Sequence, residues 1–368
     1  MESLNPISSN LFKRIELFLL FVPLTFLIIP NFFNFFPTDT QPFFWLSILF
    51  FYIAYRINNR NLFLLLSFGS VFLCYFLFRY FFFGNENFVK VVSFLSFPIL
   101  LFLSSKKLLA RIGEYYIPIM LFHFFLGFLL STFISDSLFE FLYSGREGRS
   151  FFDTRSNAFV FPEASYAAKN FFGFGVALFL LDREYFSKVI VTLALLCFLT
   201  LSVTGFILSL TLAAKFLKPK ILIALVGFLV LAILVADAFG LANNRVFNIL
   251  LNGNYLNFIL NDNSFNTRIF SLQKDLSMLL EYSLFGTKIE SSATFWTYAS
   301  LGIIGFIVIM LLITNLILLL LRLEIILFIS TCFYLYADSF SYPAFIFMFL
   351  MITKTNAAWI GNRLQNNA

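Results

Sequence analysis

Apolar runs of 15 to 25 residues recur along this chain from Ile15 to Ile352. A bilayer's hydrocarbon core takes about 20 residues per helix. Every backbone amide placed in lipid must be paired within the protein, so repeated runs of this length leave a helical bundle as the architecture. Composition agrees. Of 368 residues 60% are hydrophobic and only 12% charged, too few charges to cover the surface of a soluble domain. The 58 Phe residues, including the run Phe81-Phe82-Phe83, read as lipid-facing filler more readily than as an aromatic site.

The expected fold is an all-α polytopic membrane protein, one integral domain over residues 1–368, with about 12 transmembrane helices (11–13 by count). Spans fall near 15–35, 43–55, 62–83, 88–104, 115–134, 165–181, 187–201, 203–217, 221–239, 294–321, 324–337 and 343–353. The pair 187–201 and 203–217 is short, separated only around Ser202-Val203-Thr204-Gly205. No small-residue cleavage site follows the first apolar stretch, which predicts a retained span and not a removed signal peptide.

Orientation follows from Lys and Arg in short loops. With both termini cytoplasmic, that side receives Lys13, Arg14, Arg56, Arg60, Lys106, Lys107, Arg111, Arg183, Lys188, Lys215, Lys218, Lys220, Arg322, Lys354 and Arg363, which is 15 of the 25 Lys and Arg. The net charge of +6 thus sets topology and calls for no nucleic-acid partner. Cys74, Cys197 and Cys332 lie far apart in apolar spans, and His123 is the only histidine. That inventory builds no His/Cys metal cage and no HExxH site, so no cofactor is expected.

Two outer loops stand out among short connections, 135–164 and 240–293. The first carries Arg146, Arg149, Asp153 and Arg155 and ends at Pro162-Glu163-Ala164-Ser165-Tyr166. The second mixes nine Asn between 243 and 266 with Val246, Phe247, Ile249, Leu250, Leu256, Ile259 and Leu260, a pattern suited to a helix lying in the interface. It also carries Arg245, Arg268 and Lys274.

Arginine keeps its charge and grips phosphate through a planar fork. The outer-loop arginines either meet lipid headgroups and water or bind a phosphate-bearing glycan donor. In the second case fixed cations stabilise the charge that grows on a departing pyrophosphate. Glu163 opens the sixth span, where a carboxylate either caps the helix or acts as general base toward a sugar hydroxyl. Asp153 is a weaker candidate for that role. His123 reads as a hydrogen-bonded polar residue between helices, with catalysis the lesser alternative.

The order of these features resembles a known family. Pro162-Glu163-Ala164-Ser165 precedes a span, then come Leu201-Ser202-Val203-Thr204-Gly205, a long loop with Arg268 and Leu284-Phe285-Gly286, and Leu301-Gly302-Ile303-Ile304-Gly305. Over residues 110–310 this is similar to the O-antigen polymerase and ligase superfamily, most of all the Wzy-type polymerases. The resemblance implies a GT-C-like architecture and a metal-independent glycosyltransferase of the bacterial inner membrane. Its substrates would be undecaprenyl-pyrophosphate-linked oligosaccharides held in membrane lipid, with a chain-length regulator and a flippase as candidate protein partners. It implies catalytic roles for Glu163, Arg268 and Arg155 and substrate contacts from Arg146, Arg149, Tyr166, Arg245 and Lys274. Departures are visible: the family's Glu-Pro-Ser-like signature reads Pro162-Glu163-Ala164-Ser165, and 17 residues separate Arg268 from Gly286. Related ligases carry a histidine in the second long loop, and this chain has none there. The alternatives are a ligase-type glycan transferase and a lipid-linked glycan flippase or transporter. The latter would place its charges in a mid-membrane cavity and not in long outer loops.

Overall fold

A computed structural model describes residues 19–33, 42–54, 106–143, 159–161, 163–200, 202–216, 302–335 and 343–366, with isolated positions between 67 and 81 and at 223 and 227. The described residues form helices and turns, with no strand among them. Three helices are long and apolar enough to cross a membrane, over Leu108–Ile134, Ala164–Leu181 and Ala344–Gln365. The first of these exposes large apolar side chains such as Leu121, Phe122 and Phe125, as does a further helix through Phe306, Ile307 and Met310. A surface of that kind needs lipid or a partner over it. The architecture is that of a helical membrane protein.

In chain order the helices are α1 (Leu19–Ile28), α2 (Pro42–Ala54), α3 (Lys106–Leu129), α4 (Asp136–Tyr143), α5 (Ala164–Leu181), α6 (Arg183–Leu199), α7 (Val203–Phe216), α8 (Gly302–Leu321), α9 (Ile325–Leu335) and α10 (Pro343–Asn366). Helix α1 stops just before Pro30, which cannot continue an α-helical ladder. Helix α3 contains Pro118 and unwinds at its far end into one π turn, Leu130–Ile134. Ser135 then extends the chain (φ −169°, ψ 126°) and its Oγ accepts the Leu138 amide at 3.4 Å, an N-cap for α4. The expected span 115–134 is therefore the second part of a longer helix, and the first long loop begins with a helix of its own.

Among the described residues α5 is the most enclosed helix. Ala167 through Leu178 are buried without interruption, so it has no solvent or lipid stripe over that length. Small residues make this possible. A Cβ on Gly173 would lie 2.9 Å from Ala344 O at the start of α10, and one on Gly175 would lie 3.0 Å from Leu193 Cδ1 of α6. Helices α3 and α5 run antiparallel: Phe124 meets Phe171 at 6.0 Å, while Tyr116 meets Phe174 at 5.0 Å.

The short pair α6 and α7 are two helices joined by a tight turn. Thr200 Oγ1 donates to Cys197 O at 2.7 Å, Ser202 Oγ accepts the Gly205 amide at 2.9 Å, and Ser209 Oγ donates across to Ala194 O at 2.7 Å. A side chain at Gly205 would run into Thr200 Oγ1 and Cys197 O, so only glycine closes this turn. Helix α8 ends in a Schellman turn. Leu323 takes φ 59°, its amide meets Leu320 O at 2.9 Å, and the Glu324 amide meets Leu319 O at 2.9 Å. Arg322 then donates to Asn356 Oδ1 of α10 at 2.8 Å, and Asn356 Nδ2 donates to Asn315 Oδ1 of α8 at 3.0 Å. Helix α10 runs 13 residues past the expected span end at 353, and Arg363 covers the Trp359 ring at 4.5 Å in its last turns.

Candidate functional site at the stems of the first long loop

The polar side chains buried near Glu163 come from α1, α3, α4 and α5, each inside an otherwise apolar run. Such groups must pair with one another or carry a desolvation penalty. Asn31, just past α1, solves the problem with one amide. Its Nδ2 donates to Tyr143 O, the last residue of α4, and to Val160 O at 3.1 Å. Tyr143 precedes residues 144–158 of the first loop and Val160 follows them, so the two stems of that loop meet on one side chain. Both partners are carbonyls, which fixes the amide's orientation, since an oxygen could not face them. Asn31 Oδ1 has no hydrogen-bond partner among the described residues, at a cost of about 1–3 kcal/mol for a buried acceptor.

The backbone beside this clasp is bent. Phe33 and Phe159 take φ 59° and 52°, the left-handed region that bulky residues avoid by roughly 1–2 kcal/mol each. Packing holds them there. The Phe33 amide donates to Leu142 O at 2.9 Å, and the Phe159 ring stacks on Phe124 at 4.7 Å. Phe161 is fully buried against Phe171 at 5.9 Å.

Beneath the clasp lies His123, buried as the sequence anticipates for a bonded polar residue. Its Nδ1 is 2.8 Å from the Tyr143 hydroxyl and its Nε2 is 3.2 Å from Thr25 Oγ1. Each neighbour can donate or accept, so either imidazole tautomer completes the chain. Burial pushes the Tyr143 phenol up, which keeps it neutral as a partner. About two turns earlier on α3, Tyr116 donates to Asn170 Oδ1 at 2.6 Å, and Asn170 Nδ2 donates to Ile28 O at 2.9 Å. Asn170 thus ties the end of α1 to α5.

Glu163 stands three residues beyond Val160 as the N-cap residue of α5, with extended backbone (φ −146°, ψ 150°). Its carbonyl accepts the amides of Tyr166 and Ala167, both at 3.0 Å. The carboxylate makes no capping bond; Ser165 Oγ approaches Oε2 at 3.4 Å instead. The capping reading therefore applies to its backbone and not to its side chain. The carboxylate is half-buried at the end of the bundle where the loop stems meet. Tyr166 lies in the first turn of α5, its ring 5.9 Å from Nζ of the buried Lys169.

Of the residues singled out from sequence, the structure brings Glu163 and Tyr166 together within one turn. Arg146, Arg149, Asp153, Arg155, Arg245, Arg268 and Lys274 lie outside the described residues, as does the Asn-rich stretch. Asn31, Tyr143, Tyr116 and Asn170 were not anticipated. The available signal was an amide or phenol within or beside an apolar run, where polar groups act as interhelical links. Among the described residues no three His, Cys, Asp or Glu side chains gather as a metal site would need. No family model, curated protein or solved structure matches the chain.

Proposed function

We propose that this chain is a membrane glycosyltransferase that polymerises undecaprenyl-pyrophosphate-linked oligosaccharide repeat units. The product would be O-antigen or a related surface polysaccharide, made at the periplasmic face of the bacterial inner membrane. The proposal includes about 12 spans in a GT-C-like bundle, both termini cytoplasmic, and no metal in the reaction. One observation carries it furthest. Glu163 sits half-buried as the N-cap residue of α5, three residues past Val160, where the two stems of the first long loop converge on Asn31. A carboxylate so placed can take the proton of an acceptor sugar hydroxyl. Arg268, with Arg155 or its loop neighbours Arg146 and Arg149, would hold the pyrophosphate as it leaves. Tyr166 beside Glu163 offers a ring face for sugar, and Arg245 and Lys274 would supply further charge to the donor.

Relative placement of charge supports the orientation. Helix α5 spans about 27 Å from Glu163 to its far end, where Arg183 begins α6. Antiparallel α3 puts Arg111 toward that same far end. Arg111 and Arg183 both belong to the basic set assigned to the cytoplasm, whereas Glu163 belongs to the opposite face.

The test is the surface-glycan profile of the host after deletion of the gene, with complementation by wild type and by Arg268→Ala. Polymerase activity predicts a single repeat unit on the final carrier, restored to long chains only by wild type. Polymer retained on its lipid carrier would identify a ligase instead. Intermediates trapped on the cytoplasmic side, with all outer-face glycan lost, would identify a flippase.

A further inference from the structure

We propose that Asn31 is a positioning residue for the Glu163 carboxylate, because its amide clasps the two stems of the first long loop and fixes the backbone leading into α5. The proposal deepens the glycosyltransferase reading above and rests on it. Both bonds come from one NH2 group, so the Tyr143 and Val160 carbonyls are held at the separation that group allows. Each stem is also secured on its own side. Tyr143 is tied through its hydroxyl to His123 and from there to Thr25. The Val160 stem is flanked by Phe159, in a left-handed conformation stacked on Phe124, and by the fully buried Phe161.

From Val160 to Glu163 the chain advances three residues. Beyond them the Glu163 carbonyl is already taken by the amides of Tyr166 and Ala167. Glu163 is thus held from behind by Asn31 and from ahead by α5. Loss of the clasp frees the rear support of the backbone that leads to Glu163. Strained residues kept in place by surrounding structure are a recurrent feature of functional sites, and here two of them, Phe33 and Phe159, flank the same amide.

The test is a double-mutant cycle on the full-length protein reconstituted with a lipid-linked repeat unit, using Asn31→Ala and Glu163→Gln. Displacement of a catalytic group by about 1 Å costs on the order of 100-fold. Asn31→Ala should therefore lower kcat by roughly 10- to 100-fold in the wild-type background, with KM changed less than about threefold. In the Glu163→Gln background the same substitution should cost less than about twofold, since nothing is left to position. Asn31→Ser, which retains one donor, should fall between wild type and Asn31→Ala. Equal losses in both backgrounds would make Asn31 independent of Glu163 and overturn the proposal. So would full activity of Asn31→Ala alongside a strongly impaired Glu163→Gln, which leaves the reading of Glu163 intact. Wild-type activity of Glu163→Gln would instead remove the reading on which the proposal rests; the cycle is read on that variant's residual activity. If neither Asn31 variant accumulates as folded protein, Asn31 is a folding residue and the positioning role is lost.

Discussion

The imidazole of His123 and the phenol of Tyr143 meet at 2.8 Å, joining α3 to α4 across the π turn that separates them in the chain. The pair is buried, so neither group can trade the bond for water. Tyr143→Phe removes the hydroxyl and leaves the Nδ1 side of His123 without that partner. It should lower stability by about 1–2 kcal/mol, read as a lower thermal midpoint in detergent. An unchanged midpoint would show that the bond contributes nothing net.

The same phenol gives an alkaline signature. Burial raises the Tyr143 pKa above its ordinary 10.0, so above pH 10 the folded chain holds a proton that the unfolded chain has released. Its contribution is fully present below about pH 10 and is lost as pH climbs beyond it. Stability of wild type measured from pH 9 to 11.5 should fall more steeply above 10 than that of Tyr143→Phe. Parallel curves would contradict this assignment.

Gly173 sets how closely α5 and α10 approach. Its Cβ position lies 2.9 Å from Ala344 O and 3.0 Å from Ala344 Cβ, so a side chain there must move backbone. Gly173→Val should cost about 1–3 kcal/mol by overpacking. Gly361, with nothing within 4 Å of its Cβ position, is the control; Gly361→Ala should be neutral or stabilising by up to about 1 kcal/mol. Equal effects at the two sites would refute the close approach.

Leu323 closes α8 in a conformation that suits glycine or asparagine, and it is 82% exposed. Little packing is lost when it is replaced. Leu323→Asn should therefore raise stability by up to about 1 kcal/mol, seen as a higher thermal midpoint with unchanged oligomeric state.

Much of the helical pattern was legible because lipid-length apolar runs have one backbone solution. Pro42–Ala54, Ala164–Leu181, Val203–Phe216 and Ile325–Leu335 lie within two residues of the expected spans or inside them. Boundaries drifted where hydropathy and backbone part company. Helix α3 already includes Lys106 and α10 runs on to Asn366, both beyond the apolar runs that hydropathy marks. Glu163 was legible from its place before an apolar run. Asn31 was not, because its role depends on Tyr143 and Val160, which lie 112 and 129 residues away in the chain. The π turn at Leu130–Ile134 has no residue signature of its own, since Leu-Ser-Thr-Phe-Ile would continue a helix equally well.

The most direct test of the account is polymerisation by the purified chain in lipid, supplied only with one undecaprenyl-pyrophosphate-linked repeat unit and a metal chelator. The account predicts a ladder of longer lipid-linked glycans from wild type and its loss in Arg268→Lys, because a single ammonium cannot reproduce a guanidinium's paired grip on pyrophosphate. Recovery of the repeat unit unextended by wild type, under conditions where the protein is folded and monodisperse, would contradict it.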